Sequence, residues 1–430
     1  MVYVLDKNGH PLMPTERYGK VRRMLHEKRA KVVKRCPFTI QLLHQTTHNI
    51  QSVVLGVDAG SKHIGLSVTT EKKVLYEADV ELRNDIVLLL AARRELRRIR
   101  RNRKTRYRKP RFNNRIASKK EGWIAPSIRH KIQTHLTVIE KVCEILPVSK
   151  IVTEVASFDI QKIKNPDISN EDYQQGDQLG FWNVREYVLF RDGHKCQCCK
   201  GKSKDKILNV HHIESRKTGG NATNNLITLC EYCHKQYHAG KLELPKSIHR
   251  GMKFSDAAFM GIMRWAFYNS LKGKYETIGV PVCMTYGYIT KHTRITHNLP
   301  KEHYIDARCI SGNSTAVSPG EYFYQRKVRC HNRQIHKTKI LKGGRRKLNQ
   351  SAYLVKNFRL FDKVEYQKES YFIFGRRLTG FFDVRRLDGT KINNGSISYK
   401  KLKLLETRKS YLTERRIASP PQLKLREVSD

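Results

Sequence analysis

Two Cys-x-x-Cys pairs are the clearest metal-binding pattern in the chain. Cys196 and Cys199 form the first pair, and Cys230 and Cys233 form the second. Two such turns can present four thiolates tetrahedrally to a zinc ion. Ten cysteines in 430 residues are too few for a disulfide-dense secreted scaffold, so metal binding in a reducing compartment is favoured. The pattern predicts a structural zinc site and leaves Cys198 over.

Histidines lie between and after these cysteines, in the run NVHHIESRKTGGNATNNLITLCEYCHKQYH. A strand that ends in the paired His211 and His212, followed by a helix with His234 and His238 at i and i+4, can place imidazoles around one divalent ion, predicted to be Mg²⁺. The predicted ligands are His211, His234 and His238. His212 then remains free to deprotonate a water that attacks a phosphodiester, and Asn225 is predicted to orient its ring. The simpler alternative is a zinc ribbon whose extra histidines are surface residues.

Three carboxylates lie far apart in the sequence. Asp58 ends an apolar strand within SVVLGVDAG, Glu154 ends a later strand, and Asp306 lies on a predicted helix with His303 one turn earlier on the same face. Brought together, such carboxylates can hold two divalent ions, for which Mg²⁺ is the natural occupant. Each carboxylate alone is weak evidence for a metal site. Asp-x-Gly also opens the ATP-binding fold of sugar kinases, and the other two acids could be surface residues.

A strongly basic segment separates the first two acids. Residues 88–108 contain neither Pro nor Gly, which predicts a helix that Pro110 stops, and 13 of the 23 residues from Arg93 to Arg115 are Lys or Arg. Like charges three and four residues apart repel, so the helix is expected to lie along phosphates. The alternative is a disordered basic tail. The predicted nucleic-acid contacts are Arg93, Arg94, Arg97, Arg98, Arg100, Arg101, Arg103, Lys104, Arg106 and Arg108.

The whole chain is basic. Lys and Arg total 84 against 39 Asp and Glu, a net charge of +45. Such an excess of positive charge favours a polyanionic partner. A ribosomal-type basic protein with no catalytic activity would have the same excess. No signal peptide and no stretch of about 20 apolar residues is visible, so we expect the protein to stay inside the cell.

The remaining pattern predicts a multidomain α/β protein. After Ser52 three strands form a meander, and an apolar-spaced helix with Ile132 and Leu146 precedes the strand 150–155. A helix is predicted at 257–271, a strand over VPVCMTYGYIT and a helix over KEHYIDARCI. Alternating aromatic and β-branched residues in the last hundred positions predict a small β-barrel.

Taken in order, these motifs resemble known nuclease modules. His-His, Gly-Gly, Asn-Leu and Cys-His-x-x-x-His resemble the ββα-metal motif of HNH endonucleases, and the three acidic segments resemble a RuvC-like nuclease with an RNase H type fold. With the arginine-rich bridge helix, PLMP at 11–14 and TYGYITKHTRITHNLPKEHYIDA, the chain resembles the IscB family of RNA-guided nucleases.

The resemblance implies a separate role for each of these modules. It implies a guide (omega) RNA bound by the bridge helix, an HNH site that cuts the paired DNA strand and a RuvC site that cuts the displaced strand. The C-terminal barrel would read a flanking motif of the target DNA. Carried over, Asp58, Glu154, His303 and Asp306 match RuvC positions, and His212 matches the HNH base. His211 stands where many HNH proteins have Asp, which can change the metal preference.

The resemblance also implies an RNase H-like RuvC core split by an inserted HNH domain, within a monomeric ribonucleoprotein. The expected segments are a PLMP domain (1–50), RuvC I (51–90), the bridge helix (91–118), RuvC II (119–160), a linker (161–180), the zinc-holding HNH domain (181–245), RuvC III (246–330) and the C-terminal domain (331–430). Two other classes remain open: an HNH homing endonuclease without guide RNA, and a non-enzymatic RNA-binding protein.

Overall fold

The computed structural model describes residues 1–102, 122–155, 178–214, 221–245, 247–249, 251, 255–330, 336–340, 343–344, 346–348 and 351–418. Its helices are α1 (Tyr18–His26), α2 (Ile86–Asn102), α3 (Pro126–Cys143), α4 (Val184–Arg191), α5 (Glu231–His238), α6 (Ser255–Tyr275), α7 (Gly287–Thr296) and α8 (His303–Ile310). Its strands are β1 (Val2–Leu5), β2 (Pro11–Thr15), β3 (Ala30–Lys34), β4 (Thr39–Leu42), β5 (Val54–Ala59), β6 (His63–Thr69), β7 (Val74–Glu81), β8 (Lys150–Glu154), β9 (Leu208–His212), β10 (Leu226–Cys230), β11 (Val282–Thr285), β12 (Glu321–Lys327), β13 (His336–Ile340), β14 (Arg346–Leu348), β15 (Lys363–Tyr366), β16 (Glu369–Arg376), β17 (Phe381–Arg385), β18 (Ile397–Ser398), β19 (Lys403–Glu406) and β20 (Tyr411–Ile417).

The chain divides into two compact units. The first comprises the described residues of Met1–Ile86, Arg111–Ala156 and Ile262–Asp430, and the second those of Val87–Pro110 and Ser157–Gly261. The second unit therefore interrupts the first along the sequence. None of the helices in the described part of the chain combines the length and the apolarity that crossing a membrane requires.

The N-terminal residues form a sheet of their own in the first unit. Its strand order is β2-β1-β4-β3, and α1 lies between β2 and β3 in the sequence. Ile40 is completely buried in the small core of this sheet. The PLMP residues form most of the edge strand β2.

A seven-stranded sheet forms the centre of the first unit, in the order β11-β8-β5-β6-β7-β12-β20. The predicted meander is confirmed, because β5, β6 and β7 are consecutive antiparallel neighbours. β8 and β11 extend the sheet parallel to β5. Leu55, Gly56 and Val57 of β5 are all buried, as expected for a central strand that is covered on both faces.

A buried ion pair ties α8 to this sheet. The guanidinium of Arg308 donates to the Glu77 carboxylate on β7 at 2.7 Å, and Ser318 donates to the other carboxylate oxygen at 3.1 Å. Burial raises the pKa of Glu77, and Arg308 counteracts that rise. The Glu77 side chain is fully buried, so its charge depends on this partner.

Arg308→Met is therefore expected to destabilise the protein strongly. It would leave the Glu77 charge buried without its ionic partner, which costs about 3–5 kcal/mol. The matched control is Arg415→Met, because the Arg415–Glu321 pair joins two strands of the same sheet at the surface and is expected to contribute at most about 1 kcal/mol. Urea denaturation measures both; similar small losses for the two variants would contradict the structural role of the buried pair.

The second unit contains a ββα element. β9 and β10 form an antiparallel hairpin that pairs His212 with Leu226, and α5 follows β10 without a loop. Helix α4 begins at the N-cap Asn183, whose side chain accepts from the backbone N–H of Glu186 at 3.0 Å. Leu229 and Cys230 lie in the small core between these elements.

The C-terminal strands differ from the predicted barrel. Among the described residues, β18-β17-β16-β15-β19 form an antiparallel sheet whose two edge strands are not paired with each other. The last described strand, β20, pairs along its length with β12 in the central sheet. Residues 411–417, predicted to belong to a barrel, therefore complete the central sheet, and long-range pairing of this kind has no local sequence signal.

One other sequence prediction changes. VPVCMTYGYIT contributes a strand only over Val282–Thr285, after which helix α7 begins at Gly287. The basic helix is confirmed as α2 up to Asn102. The predicted stop at Pro110 and most of the predicted linker 161–180 lie outside the described residues.

Candidate functional site

Asp58 and Glu154 lie side by side at the ends of neighbouring strands. β5 and β8 are parallel, and their register pairs Val57 with Thr153, so the next residue on each strand is one of the two carboxylates. Helix α3 supports the loop after Asp58, because its Lys131 donates to the carbonyl of Ser61 at 2.7 Å. The sheet thus brings together two acids that are almost a hundred residues apart in the sequence.

Helix α8 brings His303 and Asp306 to the same place. The His303 Nδ1–H donates to Asp58 at 2.7 Å. The helix packs directly on the strands because glycines lie beneath it: a Cβ at Gly65 would collide with the carbonyl of His303, and a Cβ at Gly56 with the carbonyl of Ala307. These two glycines are needed for close approach and were not singled out from the sequence.

Gly65→Ala is expected to move α8 and to impair the acidic cluster. Overpacking of this kind costs about 1–3 kcal/mol, and a displacement of about 1 Å lowers the rate of a positioned reaction about a hundredfold. Gly273→Ala on α6 is the control, because the space around Gly273 is open and Ala favours a helix. Thermal unfolding measures the loss of stability; wild-type unfolding of Gly65→Ala would contradict the close packing.

The carboxylates of the cluster interact electrostatically. Burial raises the pKa of Glu154 to about 7, and the charge of Asp58 adds to the rise. Burial and Asp58 also raise the pKa of Asp306 to about 6, which Arg294 partly offsets. Crowded half-buried acids that resist ionisation are a good environment for a divalent cation, which takes the place of the protons.

Three residues of α7 that sequence reasoning missed contact this cluster. Thr290 donates to Glu154 at 2.9 Å, and the Nε of Arg294 lies 2.9 Å from an oxygen of Asp306. A Cβ at Gly287 would come within 2.8 Å of the Glu154 carboxylate. Thr290 ends the segment predicted as a strand, and Arg294 follows it, so the sequence did not predict that both lie on one face of a helix.

The raised pKa values predict how stability depends on pH in the absence of divalent metal. The folded-state pKa values of Glu154 and Asp306 exceed their ordinary values of 4.5 and 3.8. Their contribution to stability is therefore fully present below those ordinary values and is lost as the pH rises through about 6 and 7. In EDTA, the thermal midpoint of the wild type is expected to fall relative to Glu154→Gln between pH 5 and 8. A midpoint difference that does not change with pH would contradict this environment.

The four predicted cysteines converge. The sulfurs of Cys196, Cys199, Cys230 and Cys233 all lie within 4.8 Å of one another. Burial and the neighbouring thiols raise the pKa of Cys233, whereas the hydrogen bond from Ser203 contributes to lowering that of Cys199 to about 6. Four thiols this close can bind a zinc ion, which stabilises them as thiolates.

Three of the predicted histidines converge as well. The ring nitrogens of His211, His234 and His238 lie within 4.8 Å of one another, and the Nε2 atoms of His234 and His238 are 3.2 Å apart. Burial and the other histidines lower the pKa of His211 to about 4, and its buried Nε2 has no hydrogen-bond partner. A neutral imidazole with an unused nitrogen fits a metal ligand, and three imidazoles suit a transition-metal ion better than the Mg²⁺ expected from the sequence.

The acids are less tightly grouped than these two clusters. Among the described residues, the cysteines and the histidines are the only metal-ligating groups of three or more whose ligand atoms all lie within 4.8 Å. The acidic cluster is instead defined by the strand register, the His303 hydrogen bond and the mutual effects of its carboxylates on their pKa values.

His212 follows His211 at the end of strand β9 and has a partner that was not predicted. Its Nε2 lies 3.0 Å from the amide oxygen of Asn221. Asn225 is fully buried, and its side chain bonds both the N–H and the carbonyl of Glu214, at 2.9 and 3.1 Å. Asn225 therefore holds the backbone that follows the hairpin strand, and orientation of the His212 ring by Asn225 stays a prediction.

Part of the predicted nucleic-acid surface is described. Arg93, Arg94, Arg97 and Arg98 are exposed on α2. Arg100 and Arg101 lie in the same helix. The other four predicted contacts, Arg103, Lys104, Arg106 and Arg108, lie outside the described residues.

Two protein-family models match the chain. The RRXRR protein family model matches residues 2–176, which include Asp58 and Glu154. The HNH endonuclease model matches residues 196–240, which include all four cysteines and the predicted HNH histidines. The predicted resemblance to the IscB family is confirmed. The IscB-like chain thus carries an HNH endonuclease domain.

Among solved structures, the IscB-like chain matches Streptococcus thermophilus Cas9 in complex with the GGAA PAM, at 14% identity and a TM-score of 0.33, covering 53% of this chain and 32% of Cas9. The same Cas9 with the AGGA PAM matches at 13% identity and a TM-score of 0.31, and with the AGAA PAM at 14% identity and a TM-score of 0.31. Both matches cover 52% of this chain and 32% of Cas9. The chain thus spans about a third of the length of these Cas9 chains. The comparison with curated proteins gives no match.

Proposed function

We propose that the IscB-like chain is an RNA-guided DNA endonuclease with two sites. A guide RNA of the omega type pairs with target DNA, the HNH site cuts the paired strand, and the acidic cluster, as a RuvC site, cuts the displaced strand. The observation that carries the proposal is the convergence of Asp58, Glu154 and Asp306, because an HNH homing endonuclease has no need of a second acidic cluster.

In the acidic site, Asp58, Glu154 and Asp306 would hold divalent metal, with Mg²⁺ preferred by an all-carboxylate set. When bound, the metal supplies stabilisation of the charge that develops on the phosphate oxygens. His303 is held by Asp58 and can accept a proton from the attacking water. Thr290 keeps the Glu154 carboxylate in one orientation, and Arg294 offsets negative charge at Asp306.

In the HNH site, His211, His234 and His238 would hold one divalent ion. His212 would accept the proton of the attacking water through the ring nitrogen that is not bonded to Asn221. Asn225 keeps the backbone after His212 in place, and the four cysteines would hold zinc. Because imidazoles replace oxygen ligands, this site is proposed to accept Mn²⁺, Co²⁺ or Ni²⁺ in preference to Mg²⁺.

The net charge of +45 and the exposed arginines of α2 support a nucleic-acid partner. We assign α2 and the basic residues after it to the guide RNA as a bridge helix. The central sheet is assigned to an RNase H-like core in three RuvC segments, with the HNH domain between the second and third. The C-terminal sheet is proposed to recognise the flanking motif of the DNA. The complex of the chain with its RNA is proposed to contain one copy of the chain, with the domain limits predicted above.

Sequencing the RNA that copurifies with the chain tests this proposal. We expect one abundant RNA species, and we expect a DNA duplex that matches a programmed guide in that RNA to be cut when divalent metal is present. A duplex with a scrambled match is the control. Equal cutting of matched and scrambled DNA would favour a homing endonuclease, and RNA binding without metal-dependent cutting would favour the non-enzymatic alternative.

A further inference from the structure

A second histidine–aspartate pair lies against His303. The Nδ1 of His63 on β6 is 2.9 Å from the carboxylate of Asp79 on β7. The imidazole rings of His63 and His303 are stacked, with centroids 5.0 Å apart and planes only 5° from parallel. Two parallel rings, each bonded to its own aspartate, thus lie at one edge of the acidic cluster.

The strand register explains this arrangement. Antiparallel pairing places Gly65 opposite Asp79, and His63 is two residues before Gly65, so all three residues lie on one face of the sheet. Gly65 lies directly beneath the backbone of His303. The missing side chain at Gly65 lets the helix come close enough for the His303 ring to rest on His63.

The His303 ring needs a second contact to hold a fixed orientation. Its hydrogen bond to Asp58 holds Nδ1 but leaves rotation of the ring plane open, and 44% of the His303 side chain is exposed. The stack with His63 covers one face of the ring and fixes that plane. His63 is itself held by Asp79, whose side chain is only 14% exposed.

We propose that His63, held by Asp79, is a positioning residue that fixes the His303 ring for cleavage of the displaced strand. This inference rests on the proposed function of the acidic cluster. The hydrogen bond with Asp58 is the main cause that raises the pKa of His303, and the charge of Asp79 acts in the same direction. A ring that loses its stacking partner spends less time in the productive orientation, which we expect to lower the rate about tenfold.

The role of the ring can be separated from the role of its nitrogen atoms. Positioning by stacking requires an aromatic ring at 63, so His63→Phe is expected to keep the displaced-strand rate within about threefold of the wild type, whereas His63→Ala loses about tenfold. Metal ligation or an ion pair with Asp79 would require the nitrogen, so both variants would then lose activity equally. The matched control is His10→Ala, because His10 forms a similar pair with Asp6 in the turn between β1 and β2.

The test is single-turnover cleavage of a doubly labelled target at saturating guide RNA, with target binding measured separately. The expected result is a slower displaced-strand cut by His63→Ala, restored by His63→Phe, with unchanged binding and unchanged paired-strand cutting. Wild-type displaced-strand rates in His63→Ala, or equal losses in both variants, would overturn the inference. If the wild type makes no displaced-strand cut that Asp58→Ala abolishes, the proposed function itself has failed.

Discussion

Asp58→Ala is expected to abolish cutting of the displaced strand and to leave a nicked product. Asp58 is the centre of the acidic cluster: it holds His303 by a 2.7 Å hydrogen bond and raises the pKa values of Glu154 and Asp306. Loss of a carboxylate that holds divalent metal removes several kcal/mol of transition-state stabilisation, a rate loss of at least about a thousandfold.

The control for this variant is another acid on the same sheet. Glu321 on β12 pairs with Arg415 at the surface of the central sheet, so Glu321→Ala changes a surface charge on the same scaffold without touching the cluster. We expect wild-type cutting of both strands from Glu321→Ala. A displaced-strand cut that persists in Asp58→Ala would mean that the acidic cluster is not the site of that reaction.

Cys233→Ala is expected to remove zinc and unfold the HNH domain. Cys233 is almost fully buried at the start of α5, beside the core formed by Ile227 and Leu229. Structural zinc contributes about 10–16 kcal/mol of apparent binding free energy to small domains, far more than so small a core provides. Cutting of the paired strand should disappear together with the metal.

Cys198 provides the matched control, because it lies between the two cysteines of the first pair and is not one of the four converging sulfurs. Elemental analysis should find one zinc per chain in the wild type and in Cys198→Ala, and none in Cys233→Ala. Limited proteolysis should cut the HNH region only in Cys233→Ala. Retained zinc and protease resistance in that variant would contradict a zinc-dependent domain.

Much of the site was predictable, because it depends on short-range patterns. Apolar runs that end in Asp58 and Glu154 indicate strands, and parallel strands bring their carboxyl ends to one edge of a sheet. The i, i+3 spacing of His303 and Asp306 on a helix, and the Cys-x-x-Cys turns, likewise need no information from distant segments.

The missed contacts depend on long-range packing or on ambiguous local signals. TYGYIT is rich in aromatic and β-branched residues and was interpreted as strand, yet Gly287 begins a helix that directs Thr290 and Arg294 to the acids. The Glu77–Arg308 pair joins residues 231 positions apart, and no periodicity in the sequence reports it.

The sequence does not decide which asparagine lies beside the His212 ring. Asn221 and Asn225 lie on the same loop and carry the same side chain, so residue type alone does not decide which amide reaches the ring. In the structure the amide oxygen of Asn221 lies 3.0 Å from the His212 ring, and Asn225 accepts a hydrogen bond from the backbone N–H of Glu214. Orientation of the ring by Asn225 stays a prediction. Backbone geometry, which the motif does not encode explicitly, determines the arrangement.

The most direct test of two independent sites is a strand-resolved cleavage assay of His212→Ala beside Asp58→Ala, on one guide-matched DNA duplex with each strand labelled separately. We expect complementary nicks, with the paired strand intact in His212→Ala and the displaced strand intact in Asp58→Ala. If either single substitution stops both cuts while RNA and DNA binding persist, the two clusters do not act as separate nuclease sites.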